Sequence, residues 1–213
     1  MRLRLFAFAS LGLLGAMVLI SFRTGVAQEP FELAASLETY RAALARDGEV
    51  LARVLALDAL FIPAYLGFFF ELASRYRRNA DATLLRFGLA AMIATGVLDV
   101  IEDQMLFAAI RAPEALTEAT LHLQHVLSQA KFHVSAIGLV LFGASLPMRT
   151  ALERAFAVSL IVPVPLVSVV VWLVDDTTAD TLYFLRWLGY LAGFTSALWL
   201  HGRGHGAVRG APA

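Results

Sequence analysis

Six long apolar stretches set the fold class of this chain. They lie near residues 5–22, 51–73, 84–107, 132–147, 155–174 and 182–200 of its 213 residues. A helix that crosses the hydrocarbon core of a bilayer, about 30 Å thick, needs about 20 predominantly apolar residues. The stretches are continuous rather than alternating, which argues against the strands of a membrane β-barrel. The sequence therefore predicts an all-α integral membrane protein, a bundle of six transmembrane helices within a single domain over residues 1–200.

The composition supports a membrane protein. Hydrophobic residues make up 59% of the chain and charged residues 16%, whereas soluble domains carry about 25% charged residues. Seventeen basic residues balance seventeen acidic ones, so no excess of positive charge favours nucleic acid as a partner. The chain has no cysteine, which excludes disulfides and thiolate metal sites. No cofactor is predicted from these features.

The first apolar stretch allows two interpretations. Arg2 and Arg4 precede it, and the small residues Gly25-Val26-Ala27 follow it. This order also fits a signal peptide with a cleavage site after residue 27, in which case five helices remain. The apolar run is long for a signal peptide, so we favour a retained first helix.

The distribution of arginines in the loops predicts the orientation of the helices, because basic residues accumulate in cytoplasmic loops. With the N-terminus inside, nine arginines lie in cytoplasmic segments and four in outer loops. The cytoplasmic arginines are Arg2, Arg4, Arg75, Arg77, Arg78, Arg149, Arg154, Arg203 and Arg209, and the outer ones are Arg23, Arg41, Arg46 and Arg111. Both termini are therefore expected in the cytoplasm, with residues 201–213 as a flexible tail. One lysine against sixteen arginines, with abundant alanine, indicates a GC-rich genome and a bacterial cytoplasmic (inner) membrane.

The segment over residues 30–46 shows an amphipathic pattern. Its apolar residues recur at helical spacing, with charged residues between them, and Gly48 offers a stop. The pattern predicts an amphipathic helix on the outer surface of the bundle. A second amphipathic stretch follows Pro113 and is expected to run into the fourth span.

Ionisable residues inside the spans are the main candidates for a function, because they are costly in lipid. Asp99, Glu102 and Asp103 fall at positions i, i+3 and i+4 of the third span and so share one helix face. Asp58 lies in the second span, five residues before Pro63. Three carboxylates on one face cannot all remain charged, so either cations balance them or at least one carries a proton.

Lys131 and His133 begin the fourth span at the same predicted depth. Together with the four acids they predict an outward-facing polar pocket that binds, senses or transports a small cationic or protonatable ligand. Asp99 and Glu102 are the expected exchangeable carboxyls. In a structural alternative, the acids serve only helix packing and are neutralised by basic residues. The candidates for that role are Lys131, Arg53 and Arg186.

His122 and His125 support an enzymatic alternative. Their i, i+3 spacing can place two imidazoles on one divalent metal ion. Glu102 or Asp103 would complete the site, and the metal would activate water, as in a metal-dependent membrane hydrolase.

Other patterns predict packing and partners in addition to the lipid bilayer. Arg75, Arg77 and Arg78 are expected to contact anionic lipid headgroups. Gly189 and Gly193 form a GxxxG pair that allows close helix approach, either within the chain or in a homo-oligomer. Pro163 and Pro165 are expected to kink the fifth span.

Overall fold

A computed structural model describes residues 2–32, 36–171 and 176–202, and within these ranges the chain is helical, without strands. The helices are α1 (Arg2–Thr24), α2 (Glu29–Glu32), α3 (Leu37–Tyr76), α4 (Ala82–Arg111), α5 (Glu118–Ser145), α6 (Ala151–Ile161), α7 (Pro163–Val170) and α8 (Asp176–Gly202). A single 3₁₀ turn, Pro113–Ala115, connects α4 to α5. The predicted all-α class is confirmed.

Five helical segments in the described part of the chain are long and apolar enough to cross a membrane. They are α1, α3, α4, α5 and the α6–α7 pair over Ala151–Val170. The sixth predicted span falls within α8. Large apolar side chains lie exposed on the outside of the bundle, for example Phe22 at 89% and Phe87 at 64%. Soluble proteins rarely expose so much apolar surface, so the spans and the surface together indicate a membrane protein.

The expected surface helix over residues 30–46 does not form as a separate element. The short helix α2 ends at Glu32, and α3 begins at Leu37 after Ser36, whose side chain accepts a hydrogen bond from the amide of Thr39. From there α3 continues through Gly48 into the second span. A glycine inside a helix costs only about 1 kcal/mol, and Gly48 is buried opposite Ile110 of α4. The prediction that the helix stops at Gly48 is therefore wrong.

The fourth span is part of a longer helix. α5 begins at Glu118, where Thr117 and Thr120 form a reciprocal capping box, and it runs without interruption to Ser145. The expectation that the stretch after Pro113 runs into the fourth span is confirmed, apart from the 3₁₀ turn that precedes it.

The fifth span is broken where its prolines predict a kink. α6 ends at Ile161 and α7 begins at Pro163, with Val162 between them at φ −103° and ψ −64°. Proline has no amide hydrogen and its ring clashes with the preceding turn, so Pro163 and Pro165 account for the interruption.

The helices pack as consecutive hairpins. α4 lies between α3 and α5, while α1 packs against α3 and α8, and α8 packs against α6 and α7. α4 and α5 approach closely at Gly88, where a Cβ atom would lie 3.1 Å from the backbone nitrogen of Phe142 and 3.2 Å from the carbonyl oxygen of Gly138. This arrangement leaves a cavity between α1, α3, α4, α5 and the C-terminal helices.

Candidate functional site

Lys131, the only lysine of the chain, lies at the centre of a buried charged network. Its side chain is 6% exposed, and its Nζ contacts three carboxylates. Nζ is 3.1 Å from Glu32 Oε1 and 3.2 Å from Asp99 Oδ1, and it also donates a hydrogen bond to Glu102 Oε2. One cation of α5 therefore connects α2 with two turns of α4.

Polar side chains of neighbouring helices orient these carboxylates. The hydroxyl of Tyr65 in α3 donates a 2.7 Å hydrogen bond to Asp99 Oδ2. Ser128, one turn before Lys131 in α5, donates to Glu102 Oε1. The network thus includes side chains of α2, α3, α4 and α5.

An adjacent set of hydrogen bonds holds the α2 segment against α5. Gln124 donates through Nε2 to the carbonyl oxygen of Phe31 at 2.9 Å and accepts at Oε1 from the hydroxyl of Tyr40 at 3.0 Å. Because Glu32 follows Phe31 directly, these bonds fix the position of the carboxylate that reaches Lys131.

The third carboxylate of α4 points elsewhere. Asp103 is 2% exposed, and its Oδ1 accepts a long hydrogen bond of 3.5 Å from Gln28 Nε2. Its Oδ2 has no hydrogen-bond partner within the described ranges. Asp99 and Glu102 therefore share Lys131, whereas Asp103 has no cationic contact in this part of the chain.

The charged network forms one end of a cavity. The space between the cavity walls measures about 950 Å³, including the part open to the surroundings. Polar residues lining it are Gln28, Glu32, Asp58, Tyr65, Thr95, Asp99, Lys131, Ser135, Ser159 and Tyr190. Most of the remaining lining is aliphatic or aromatic, with contributions from α1, α3, α4, α5, α6, α7 and α8.

Carboxylates outnumber cations in the described lining of the cavity. Glu32, Asp58 and Asp99 face a single ammonium group, that of Lys131. Asp58 forms no hydrogen bond or ion pair among the residues that the structure describes. Glu32 is 3% exposed, and its Oε2 also has no hydrogen-bond partner in these ranges. The cavity can therefore accept a further positive charge or a hydrogen-bond donor.

The structure brings together most of the predicted pocket but not all of it. Asp58, Asp99 and Lys131 line the cavity, and Glu102 reaches it through Lys131. His133, in contrast, is exposed, and its Nδ1 lies 2.7 Å from the carbonyl oxygen of Gln129. Two residues along a helix correspond to a rotation of about 200°, so a buried Lys131 places His133 on the opposite face. His133 does not belong to the pocket.

Only some of the basic residues expected to neutralise the acids lie near them. Lys131 does so, whereas Arg53 is exposed and pairs with Glu49 of its own helix at 2.5 Å. Arg186 is buried, with its guanidinium carbon 4.2 Å from the ring centre of Phe132 and 4.8 Å from that of Tyr183. Of these alternatives, Lys131 contacts the acids, whereas Arg53 contacts none of them.

The two histidines proposed as metal ligands do not form a cluster. His122 is exposed and His125 is buried. In the ranges that the structure describes, no three His, Asp or Glu residues are grouped to hold a metal ion. The geometry thus gives the metal-dependent alternative no ligand set in these ranges.

Three contributors to the site were missed from the sequence: Glu32, Tyr65 and Ser128. Tyr65 lies seven residues after Asp58, and Ser128 lies three before Lys131, so helical spacing from the predicted residues could have identified both. Glu32 lies in the amphipathic segment over residues 30–46, and no local pattern connects it with Lys131.

Two further predictions concern surfaces and packing. Gly189 and Gly193 are buried inside the chain and line the cavity, and a Cβ on Gly189 would lie 2.8 Å from Pro163 Cβ. These contacts are those of helix packing within one chain. Arg75, Arg77 and Arg78 are exposed at the end of α3.

Comparisons of the chain with protein-family models, with curated proteins and with solved structures found no match. Function is therefore inferred from the cavity and its charged network alone.

Proposed function

We propose that this chain is a binding, sensing or transport protein whose cavity takes a small cationic or protonatable ligand. The observation that carries the proposal is Asp58, which lines the cavity and has no hydrogen-bond or ion-pair partner in the described ranges. A carboxylate inside a membrane bundle is costly unless a cation or a proton accompanies it. A positively charged ligand at Asp58 supplies that charge.

The rest of the network allows a bound cation to compete with Lys131 for Asp99. Asp99 lines the cavity and is shared between Lys131 and the hydroxyl of Tyr65. An arriving cation can therefore draw one oxygen of Asp99 away from Lys131, whose charge remains balanced by Glu32 and Glu102. Asp58 is accordingly the first contact of the ligand and Asp99 the exchangeable one.

The proposed setting is a bacterial cytoplasmic membrane with both termini inside, so that the cavity faces outward. The arginine distribution supports this orientation. The first helix is proposed to be retained, because Leu14 and Met17 of α1 form part of the cavity wall. Arg75, Arg77 and Arg78 at the end of α3 are then placed to contact anionic headgroups at the inner surface.

Calorimetric titration of butylammonium into the purified protein in lipid nanodiscs tests the proposal. We expect saturable binding that weakens as the pH is lowered, because a protonated carboxyl attracts the ammonium group less. Asp58→Asn should abolish this binding. Glu49→Gln, which makes the same chemical change at an exposed carboxylate of the same helix, should leave it intact. Equal binding by the wild type and Asp58→Asn contradicts the proposal.

A structural role is the second candidate, and the threefold contact of Lys131 favours it. A network that connects α2, α4 and α5 through one cation also fixes helix packing. In that case Asp99→Asn lowers folding yield without a specific effect on binding. The reversed pair Lys131→Glu with Glu102→Lys then restores folding that either single change removes.

A further inference from the structure

We propose that the ligand is an amphiphilic amine, with its ammonium group at Asp58 and an apolar chain extending along α3, α4 and α5 toward α8. This inference rests on the proposed function, because it assigns the part of the ligand that lies beyond the cationic group. Three observations carry it: the order of residues along the cavity wall, an aromatic cluster at its far end, and a glycine that opens onto the cavity.

The polarity of the wall changes in the same direction along three antiparallel neighbours. On α3 the lining begins with Asp58 and continues through Phe61 to Phe68. On α4, which runs the opposite way, it proceeds from Asp99 back to Met92, about 10 Å along the axis. On α5 it proceeds from Lys131 to Leu139, about 12 Å. The Lys131–Asp99 contact joins the polar ends of α4 and α5, and the hydroxyl of Tyr65, seven residues after Asp58 on α3, reaches the same carboxylate.

The far end of the cavity is aromatic. The ring of Phe194 in α8 packs edge-on against Phe68, with 5.0 Å between ring centres. It also lies 6.2 Å from the ring of Phe61, which is one turn from Asp58 on α3. These rings line the cavity and offer apolar surface in place of hydrogen-bond partners. A small hydrophilic cation would leave this part of the cavity unused, whereas an alkyl or aryl chain would bury its surface there.

The charges of the polar end exclude acidic amphiphiles. Glu32, Asp58 and Asp99 meet one ammonium group in the described lining, so a carboxylate or phosphate headgroup would be repelled. The ligand class is accordingly a single-chain amine without an acidic group.

A substitution at Gly193 can test whether the apolar part of the cavity, at the end away from Asp58, holds the chain of the ligand. A Cβ there would lie 3.8 Å from Ser159 Oγ and 3.9 Å from Leu160 Cδ2, which are ordinary contacts. Gly193 also lines the cavity. A Cβ at this position therefore fits, and the larger side chain of Gly193→Leu would extend from it beside Ser159 and Leu160, which also line the cavity.

The test is a series of calorimetric titrations into the wild type and Asp58→Asn, both in nanodiscs of zwitterionic lipid. The ligands are ethylammonium, butylammonium, hexylammonium and octylammonium, and octanoate is the anionic control. Affinity that depends on Asp58 should rise about fourfold per methylene group, as expected for burial of the chain. Subtracting the heats measured with Asp58→Asn from those measured with the wild type removes the contribution of amine that partitions into the lipid. Octanoate should not bind.

Gly193→Leu provides the spatial control. It should weaken octylammonium binding at least tenfold and leave ethylammonium binding unchanged, and equal weakening of both ligands overturns the placement of the chain. If ethylammonium and octylammonium bind with equal, Asp58-dependent affinity, the amphiphilic ligand is wrong and the proposed cation site stands. If no alkylammonium shows Asp58-dependent binding, the proposed function itself fails.

Discussion

The Nζ of Lys131 lies 3.2 Å from Oδ1 of Asp99, so the single lysine of the chain is joined to a carboxylate that lines the cavity. The other oxygen of Asp99 accepts a hydrogen bond from the hydroxyl of Tyr65. The same ion pair therefore belongs to the packing of the bundle and to the wall of the candidate site. Changes at Lys131 are expected to alter both, and stability has to be measured separately from binding.

Replacing Lys131 with methionine should destabilise the fold strongly. The change leaves the carboxylates of Glu32, Asp99 and Glu102 buried without their shared cation, and breaking a buried ion pair in this way costs about 3–5 kcal/mol. Unfolding in mixed detergent micelles measures the loss. Part of it should return at acidic pH, because protonated carboxyls need no counter-ion.

Arg53→Met is the matched control for Lys131→Met. It removes a cation whose pair with Glu49 is exposed on both sides, and such pairs contribute about 0–1 kcal/mol. Equal destabilisation by the two variants would contradict the central role assigned to Lys131.

The burial of Lys131 also predicts its chemical reactivity. Because the chain has no other lysine, an amine-reactive ester has only the N-terminal amine and Lys131 as targets. Because its side chain is 6% exposed and contacts three carboxylates, Lys131 should stay unlabelled in the folded protein and react fully after denaturation. Peptide mass spectrometry distinguishes the two sites. Rapid modification of Lys131 in the folded protein would show that the network is open to water.

The spans were predictable because length and hydropathy alone determine whether a helix can cross a bilayer. The continuous helix over Leu37–Tyr76 could not be predicted from the sequence. Gly48 lowers the local helix propensity, whereas its contact with Ile110 of α4 is a tertiary interaction that the local sequence does not show. Tertiary contact outweighs a local preference of about 1 kcal/mol.

The candidate site also combines residues that local spacing predicts with contacts that only the tertiary structure shows. The i, i+3, i+4 acids of α4 could be read from their spacing, and so could the depth of Lys131. The contact between Glu32 and Lys131 could not, because it joins residues from distant parts of the sequence through the fold of the α1–α3 connection. The error at His133 was of another kind, since its position relative to Lys131 on the helix already directs it to the opposite face.

Two glycines of α8 should respond differently to substitution by alanine. At Gly189 a Cβ would lie 2.8 Å from Pro163 Cβ and 3.1 Å from Val164 Cγ2, so Gly189→Ala must push α7 and α8 apart and lower stability by about 1–3 kcal/mol. At Gly193 the added methyl meets atoms at 3.8 Å or more. Gly193→Ala should therefore stabilise the helix by about 0.5–1 kcal/mol. Thermal unfolding of both variants side by side measures the difference, and the opposite order of stabilities would overturn this packing.

The absence of cysteine makes the orientation of the helices directly testable. Single cysteines at two exposed loop positions, Asn79→Cys after α3 and Glu114→Cys after α4, should lie on opposite sides of the membrane, because α4 separates them. With the N-terminus inside, a membrane-impermeant maleimide should label Glu114→Cys in intact cells and Asn79→Cys only after permeabilisation. The wild type serves as the unlabelled control. The reverse pattern would place the cavity with Asp58 and Asp99 on the cytoplasmic side, and the amine would then have to reach it from within the cell.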